Sequence, residues 1–142
     1  ALESINIPPS VTKINAGKFL KCITLKNTTI PHSVTKIDIC PLFFCRNLKN
    51  IVIPHTVTKI GHSAFYKCTS LENIAIPDSV TKIGMMTFFS CKSLKSIVVP
   101  FSVLKIDYNA FKNCHNLTIY TPENSCGEVY AKDNNIPFKR IT

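Results

Sequence analysis

The sequence predicts one solenoid, α/β in class but mostly β. A parallel sheet runs along one face and short helical turns lie elsewhere. Three observations predict it. Leucines stand at Leu2, Leu25, Leu48, Leu71, Leu94 and Leu117, a constant step of 23. Other columns keep the same step: the prolines Pro8, Pro31, Pro54, Pro77 and Pro100, the valines Val11 to Val103, the isoleucines Ile14 to Ile106, and the cysteines Cys22, Cys45, Cys68, Cys91 and Cys114. Finally, 142 residues with 45% hydrophobic side chains suit one domain with a real core, and disorder is excluded. A fixed short period means that each unit buries its apolar face only against its neighbours, so the units stack.

The unit reads clearly in residues 71–93. Leu71, Ile74 and Ile76 point inward from a short strand. Pro77 ends that strand, because it has no amide donor and a fixed φ. Val80 and Ile83 turn inward again, with two outward residues between them. Position 84 and its equivalents are Asn15, Asp38, Gly61, Gly84 and Asp107. All three residue types tolerate left-handed backbone, so a tight turn is expected there. Phe88 fills the core from a short helical or irregular segment, in one column with Phe19, Leu42, Phe65 and Phe111, and Cys91 closes the coil.

This pattern resembles the leucine-rich repeat of the BspA-like (Treponema pallidum-type) class. The matching motif is Leu-x-x-Ile-x-Ile-Pro-x-Ser-Val-Thr-x-Ile-Gly, followed by a Phe and a Cys. Residues 48–70 and 71–93 match almost throughout, and 2–24 and 94–116 match well. Residues 25–47 are degenerate, with Thr28 at an inward position and Pro41-Leu42 in place of Ala-Phe. The resemblance implies a leucine-rich-repeat right-handed superhelix of five repeats over residues 1–116. It also implies a cell-surface or secreted protein of the kind oral bacteria and parasitic protists use for adhesion and host contact. No cofactor is implied.

Residues 117–142 form a different module. They keep Leu117 but lose one residue before Pro122. Ser125-Cys126-Gly127-Glu128 fits a capping box, with Ser125 as N-cap and Glu128 reaching back. A short helix to about Asn134 and a strand near Phe138–Ile141 should follow. The task of this module is to cover the last rung and block edge-to-edge stacking. No such module precedes the first repeat. Either repeats continue upstream or the first rung is open, and an open rung is a route to self-association.

Charge supplies the candidate binding residues. The chain carries 17 Lys+Arg against 8 Asp+Glu, and the whole +9 excess falls within residues 1–116. Lys13, Lys36, Lys59, Lys82 and Lys105 form a column just before the inward isoleucines. Lysines stacked about 5 Å apart repel each other unless an anion lies along them. A sulfated or sialylated glycan or an acidic protein would fit. The plainer alternative is a solvated row that keeps sheet edges unpaired. No aromatic residues interleave with these lysines, which disfavours nucleic acid. Outward positions of the strand form a second candidate surface, led by Lys26, Lys49, Lys95, Asn27, Asn50 and Asn73. Its mix of amides, charges and small apolar groups suits contact with a protein, the first-choice partner.

The remaining motifs are weaker. The cysteine ladder faces the core at one per rung, so it reads as packed, reduced thiols, while Cys40 and Cys126 lie off it. His32, His55 and Asp78 share a column that could in principle ligate zinc, but a solvated polar turn is the better reading. No phosphate loop or nucleophile elbow occurs, so no enzyme is expected. No apolar run reaches the roughly 18 residues of a membrane span. Two sequons, Asn27-Thr28-Thr29 and Asn116-Leu117-Thr118, agree with an exported protein. The core-facing thiols and a start without signal-like regions leave an intracellular, cytoplasmic interaction scaffold as the alternative.

Overall fold

The computed structural model describes residues 4–5, 7–14, 26–39, 42 and 44–142. Leu2, Glu3, Asn6, Asn15, Phe19, Cys22, Leu25, Cys40 and Pro41, which enter the column argument, lie outside the described residues. Each repeat contributes two short strands. In chain order these are β1 (Ser4–Ile5) and β2 (Lys13–Ile14), β3 (Asn27–Thr29) and β4 (Lys36–Ile37), β5 (Asn50–Val52) and β6 (Lys59–Ile60), β7 (Asn73–Ala75) and β8 (Lys82–Ile83), and β9 (Ser96–Val98) and β10 (Lys105–Ile106). The tail adds β11 (Thr118–Pro122), α1 (Cys126–Asp133) and β12 (Phe138–Ile141).

Every strand pairing among the described residues is parallel. Between repeats the register joins equivalent residues, Asn27 with Asn50 and Lys36 with Lys59 among them. One circuit of the chain therefore makes one rung, and the result is a β-solenoid. The odd-numbered strands do not form one sheet along the molecule. They form a three-stranded sheet, β1-β3-β5, and, with β12 added at the edge, a four-stranded sheet, β12-β11-β9-β7. The even-numbered strands of the repeats form an unbroken five-stranded sheet, β10-β8-β6-β4-β2.

The corners are hydrogen-bonded turns. After each proline, the Val amide donates to the Pro carbonyl three residues back, at 3.0 Å in Val34→Pro31 and Val80→Pro77. The Leu amide does the same to the Cys carbonyl, at 3.0 Å in Leu94→Cys91. The segments expected to be short helical turns or irregular are turns of this kind, and among the described residues α1 is the sole helix.

The interior is a set of one-residue columns. Leu48, Leu71 and Leu94 are fully buried. Phe65, Phe88 and Phe111 stack with centroids 5.2 Å apart and planes within 5° of parallel. Leu42 fills the same column one rung earlier, and Thr28 faces inward in place of isoleucine. Tyr130 of α1 closes the stack edge-on against Phe111 at 5.7 Å.

Backbone conformation overturns one expectation. The column Asp38, Gly61, Gly84 and Asp107 is not left-handed. Its amides donate to Ile14, Ile37, Ile60 and Ile83 carbonyls of the preceding rung, which extends the even-strand ladder by one residue. Glycine is there for space: a Cβ on Gly61 would stand 2.6 Å from the Asp38 carbonyl carbon, and one on Gly84 would stand 2.7 Å from the His62 nitrogen. The left-handed residues fall later in the coil. Ser63, Met86 and Asn109 form one such column, and Phe44, Lys67, Ser90 and Asn113 form another, with φ from 55° to 65°.

The tail is locked by polar contacts. The Ser125 hydroxyl accepts from the Glu128 amide at 3.1 Å, as an N-cap should. The Glu128 carboxylate does not close a full capping box on Ser125. It accepts from Arg140 Nε at 2.7 Å and Lys132 Nζ at 3.3 Å, with a longer contact to the Asn124 amide. The Arg140 hydrogen bond above all holds this buried carboxyl down at about 2. Arg140 sits on β12, so the interaction ties helix to edge strand.

Candidate functional site

The Lys-Ile strands are alternating by construction: isoleucine enters the core and lysine leaves it. In-register pairing then aligns Lys13, Lys36, Lys59, Lys82 and Lys105 along one sheet at a rung spacing of about 4.8 Å. Asp107 compensates one end of this row. Lys82 Nζ and Lys105 Nζ each lie 3.5 Å from its carboxylate. Lys13, Lys36 and Lys59 make no ion pair with any described residue.

A groove of about 450 Å³ runs beside four of the lysines, Lys13 to Lys82. Gly61 and Gly84 form part of its lining, and Asp38 and Asp107 belong to the rungs on either side of them. Ile39 and Met85, both exposed, supply apolar surface. A side chain at either glycine would run into the backbone of the preceding rung, so glycine here permits close rung contact. Chemically the groove offers a line of ammonium donors beside an apolar strip. Such a channel can hold an extended anion.

The strand-face candidates occupy the odd-numbered strands. Lys26, Lys49 and Lys95 are exposed, but Glu72 stands between the last two in the column. Asn50 donates to Asn27 Oδ1 at 2.9 Å, and Ser96 donates to Asn73 Oδ1 at 2.6 Å. The break between β5 and β7 falls between these two couples.

The cysteine column is buried at Cys45, Cys68 and Cys91 and partly buried at Cys114. The thiols of Cys68, Cys91 and Cys114 donate to Leu42, Phe65 and Phe88 carbonyls at 3.0–3.2 Å. Burial pushes all three up, Cys114 to about 12, so they stay protonated. His32, His55 and Asp78 are exposed, and among the described residues no group of three or more His, Cys, Asp or Glu is placed to hold a metal ion. No helix there is long and apolar enough to cross a membrane.

Sequence reasoning missed one cluster. Phe44 and Tyr66 meet edge-on at 5.8 Å, and Tyr66 stacks on Phe89 at 4.9 Å. Lys67 Nζ lies 5.2 Å from the Phe44 centroid and Arg46 Cζ lies 5.5 Å from it. A signal existed: Arg46 and Lys92 are 46 residues apart, two rungs, beside an aromatic column containing Tyr66 and Phe89.

Comparison with known proteins agrees with this geometry. A family model for the BspA-type leucine-rich repeat region matches residues 1–118 with six copies of its unit. The structure is similar to that of a Treponema pallidum leucine-rich repeat protein, with 31% identity, a TM-score of 0.80, and coverage of 83% of this chain and 58% of that one. It is also similar to a leucine-rich cell surface protein from Faecalibacterium prausnitzii, with 32% identity, a TM-score of 0.83, and coverage of 91% and 34%. A leucine-rich repeat protein from Bacteroides ovatus matches at 29% identity and a TM-score of 0.73, with coverage of 99% and 43%. This chain thus spans less than two thirds of each of these proteins. None of the curated proteins matches it. With the 23-residue register, the one-residue core columns and a family match across residues 1–118, the chain belongs to the BspA-type leucine-rich-repeat family.

Proposed function

We propose that this chain is a non-enzymatic binding module of a cell-surface or secreted protein, and that the lysine ladder engages an extended anionic partner. The single observation behind this reading is the in-register row of lysines along a groove, with Lys13, Lys36 and Lys59 in no ion pair with any described residue and Asp38 as the one described carboxylate that lines the groove near them. A sulfated or sialylated glycan or an acidic protein segment supplies the missing charge. The surface location rests on likeness to a leucine-rich cell surface protein. Residues 117–142 act in this reading as a C-terminal cap, with Lys139 and Arg140 placing charge on the edge strand β12.

The test is elution from immobilised heparin in a salt gradient. The parent is compared with Lys36→Glu/Lys59→Glu and with Lys26→Glu/Lys95→Glu, which has the same net charge. The reading expects the ladder variant to elute at clearly lower salt than the control variant. Equal elution of the two variants would sink it.

The buried thiols support a second reading, an intracellular interaction scaffold that binds protein through the strand face. It expects pull-down of a partner that is lost on Asn27→Asp/Asn50→Asp and kept in the ladder variant.

A further inference from the structure

The turn segments between the phenylalanine and leucine columns carry a cleft of about 410 Å³, on a side of the coil with no strands among the described residues. Among the described residues three cations line it, Arg46, Lys67 and Lys92, and no carboxylate does. Phe44 and Phe89 supply its aromatic wall. Ser90 and Asn113 complete one end and are already bonded to each other, Asn113 Nδ2 donating to Ser90 Oγ at 3.2 Å.

Backbone geometry marks the same place. Phe44, Lys67, Ser90 and Asn113 all lie in the left-handed column. Asparagine suits that conformation, but phenylalanine and lysine do so poorly. The four rungs described at this step each have a left-handed residue there. That conformation does not need Phe44 and Lys67, since glycine would serve better. Their side chains line the cleft.

Donor and acceptor chemistry narrows the ligand. The cations offer only donors. A sugar bearing many hydroxyls also needs acceptors, and the side-chain acceptors in the lining are those of Thr69, Asn113 and Ser90, the last already accepting from Asn113. A ligand with an acceptor-only anionic head and a flat apolar body matches better. Phe44 and Phe89 line the cleft, and aromatic side chains favour contact with another ring. We propose that this cleft binds a tetrahedral oxyanion ester of a phenol, as carried by an O-sulfated or O-phosphorylated tyrosine side chain. The site is separate from the lysine groove and stands or falls independently of it.

The test uses fluorescence anisotropy with three labelled glycine-flanked peptides carrying tyrosine, sulfotyrosine or phosphotyrosine, and with glucose 6-sulfate as competitor. At least one modified peptide should bind about tenfold or more tightly than the plain one, because an ionised partner roughly doubles hydrogen-bond strength at each contact. Preference for the sulfated peptide would point to an extracellular source, and preference for the phosphorylated one to an intracellular source. Lys67→Gly should weaken binding about tenfold while leaving Tm within a few degrees, since glycine relieves the left-handed backbone. Arg46→Gln/Lys92→Gln, both at exposed positions, should do the same. Lys36→Glu/Lys59→Glu should bind as the parent does. The proposal is overturned if neither modified peptide binds, if the cleft variants bind like the parent, if the ladder variant loses binding equally, or if glucose 6-sulfate competes as well as the modified peptides.

Discussion

Replacing Phe88 by alanine removes the middle ring of the Phe65–Phe88–Phe111 stack. The side chain is fully buried, with a ring 5.2 Å away on each side. Phe→Ala in such a setting costs about 3–5 kcal/mol, including the cavity left behind. The two lost stacks, about 0.5–1.5 kcal/mol each, place the value toward the upper end of that range. A solenoid holds by contacts between neighbouring rungs, so the loss falls on the two interfaces that join rungs three, four and five. For a chain of this length, about 4 kcal/mol lowers Tm by roughly 10 °C or more. Phe88→Leu is the internal control, because Leu42 occupies the equivalent position and is 1% exposed. That change keeps most of the apolar volume and should cost about 1–1.5 kcal/mol. Urea unfolding followed by far-UV circular dichroism would measure both. If Phe88→Ala fell within about 1 kcal/mol of the parent, the column would not be the packed spine described above, and the reasoning would fail.

Other consequences follow from the same contacts. Gly84→Ala sets a methyl 2.7 Å from the His62 nitrogen and 2.8 Å from the Gly61 carbonyl carbon, both backbone atoms. It should destabilise by about 1–3 kcal/mol, read as a lower Tm, and an unchanged Tm would refute the close rung contact. Arg140 holds the Glu128 carboxyl at about 2, well below the ordinary carboxylate value of about 4.3. Its stabilising effect is therefore complete above the ordinary value and lost as pH falls toward about 2. Glu128→Gln should lower Tm at neutral pH, and the gap from the parent should close across that acid window in a calorimetric pH series. Among the described cysteines, half-buried Cys126 should react with maleimide well before Cys68 and Cys91, whose buried thiols donate to backbone carbonyls. Mass spectrometry of the labelled, folded protein would check this order.

Much of the molecule was legible in its sequence because a repeat turns one local rule into a global one. When residues i and i+23 play the same part, parallel register follows directly: Lys36 opposite Lys59, Ile37 opposite Ile60. The core columns, the lysine row, the proline corners and the helix after Ser125 all come from that rule or from local capping chemistry. Backbone sign was harder. The residue types at 38, 61, 84 and 107 suggested a left-handed turn, but side-chain tolerance says nothing about hydrogen bonding between rungs, and those amides are engaged in the ladder. The true left-handed columns hold Ser63, Met86, Phe44 and Lys67 beside Asn109 and Asn113, and of these only the asparagines are types that propensity would select.

The sequence by itself determined the period, the inward set and the charge on the outer row, since each depends on residue type and spacing alone. Only the tertiary structure decided what lies side by side around the coil. Asp107 reaches two lysines from neighbouring rungs, a groove lined in part by glycine runs beside the row, and Arg46, Lys67, Phe44 and Phe89 close on a common cleft. Those neighbours are set by how tightly each rung turns and by where its carbonyls find donors, and a one-dimensional pattern does not carry that distance information.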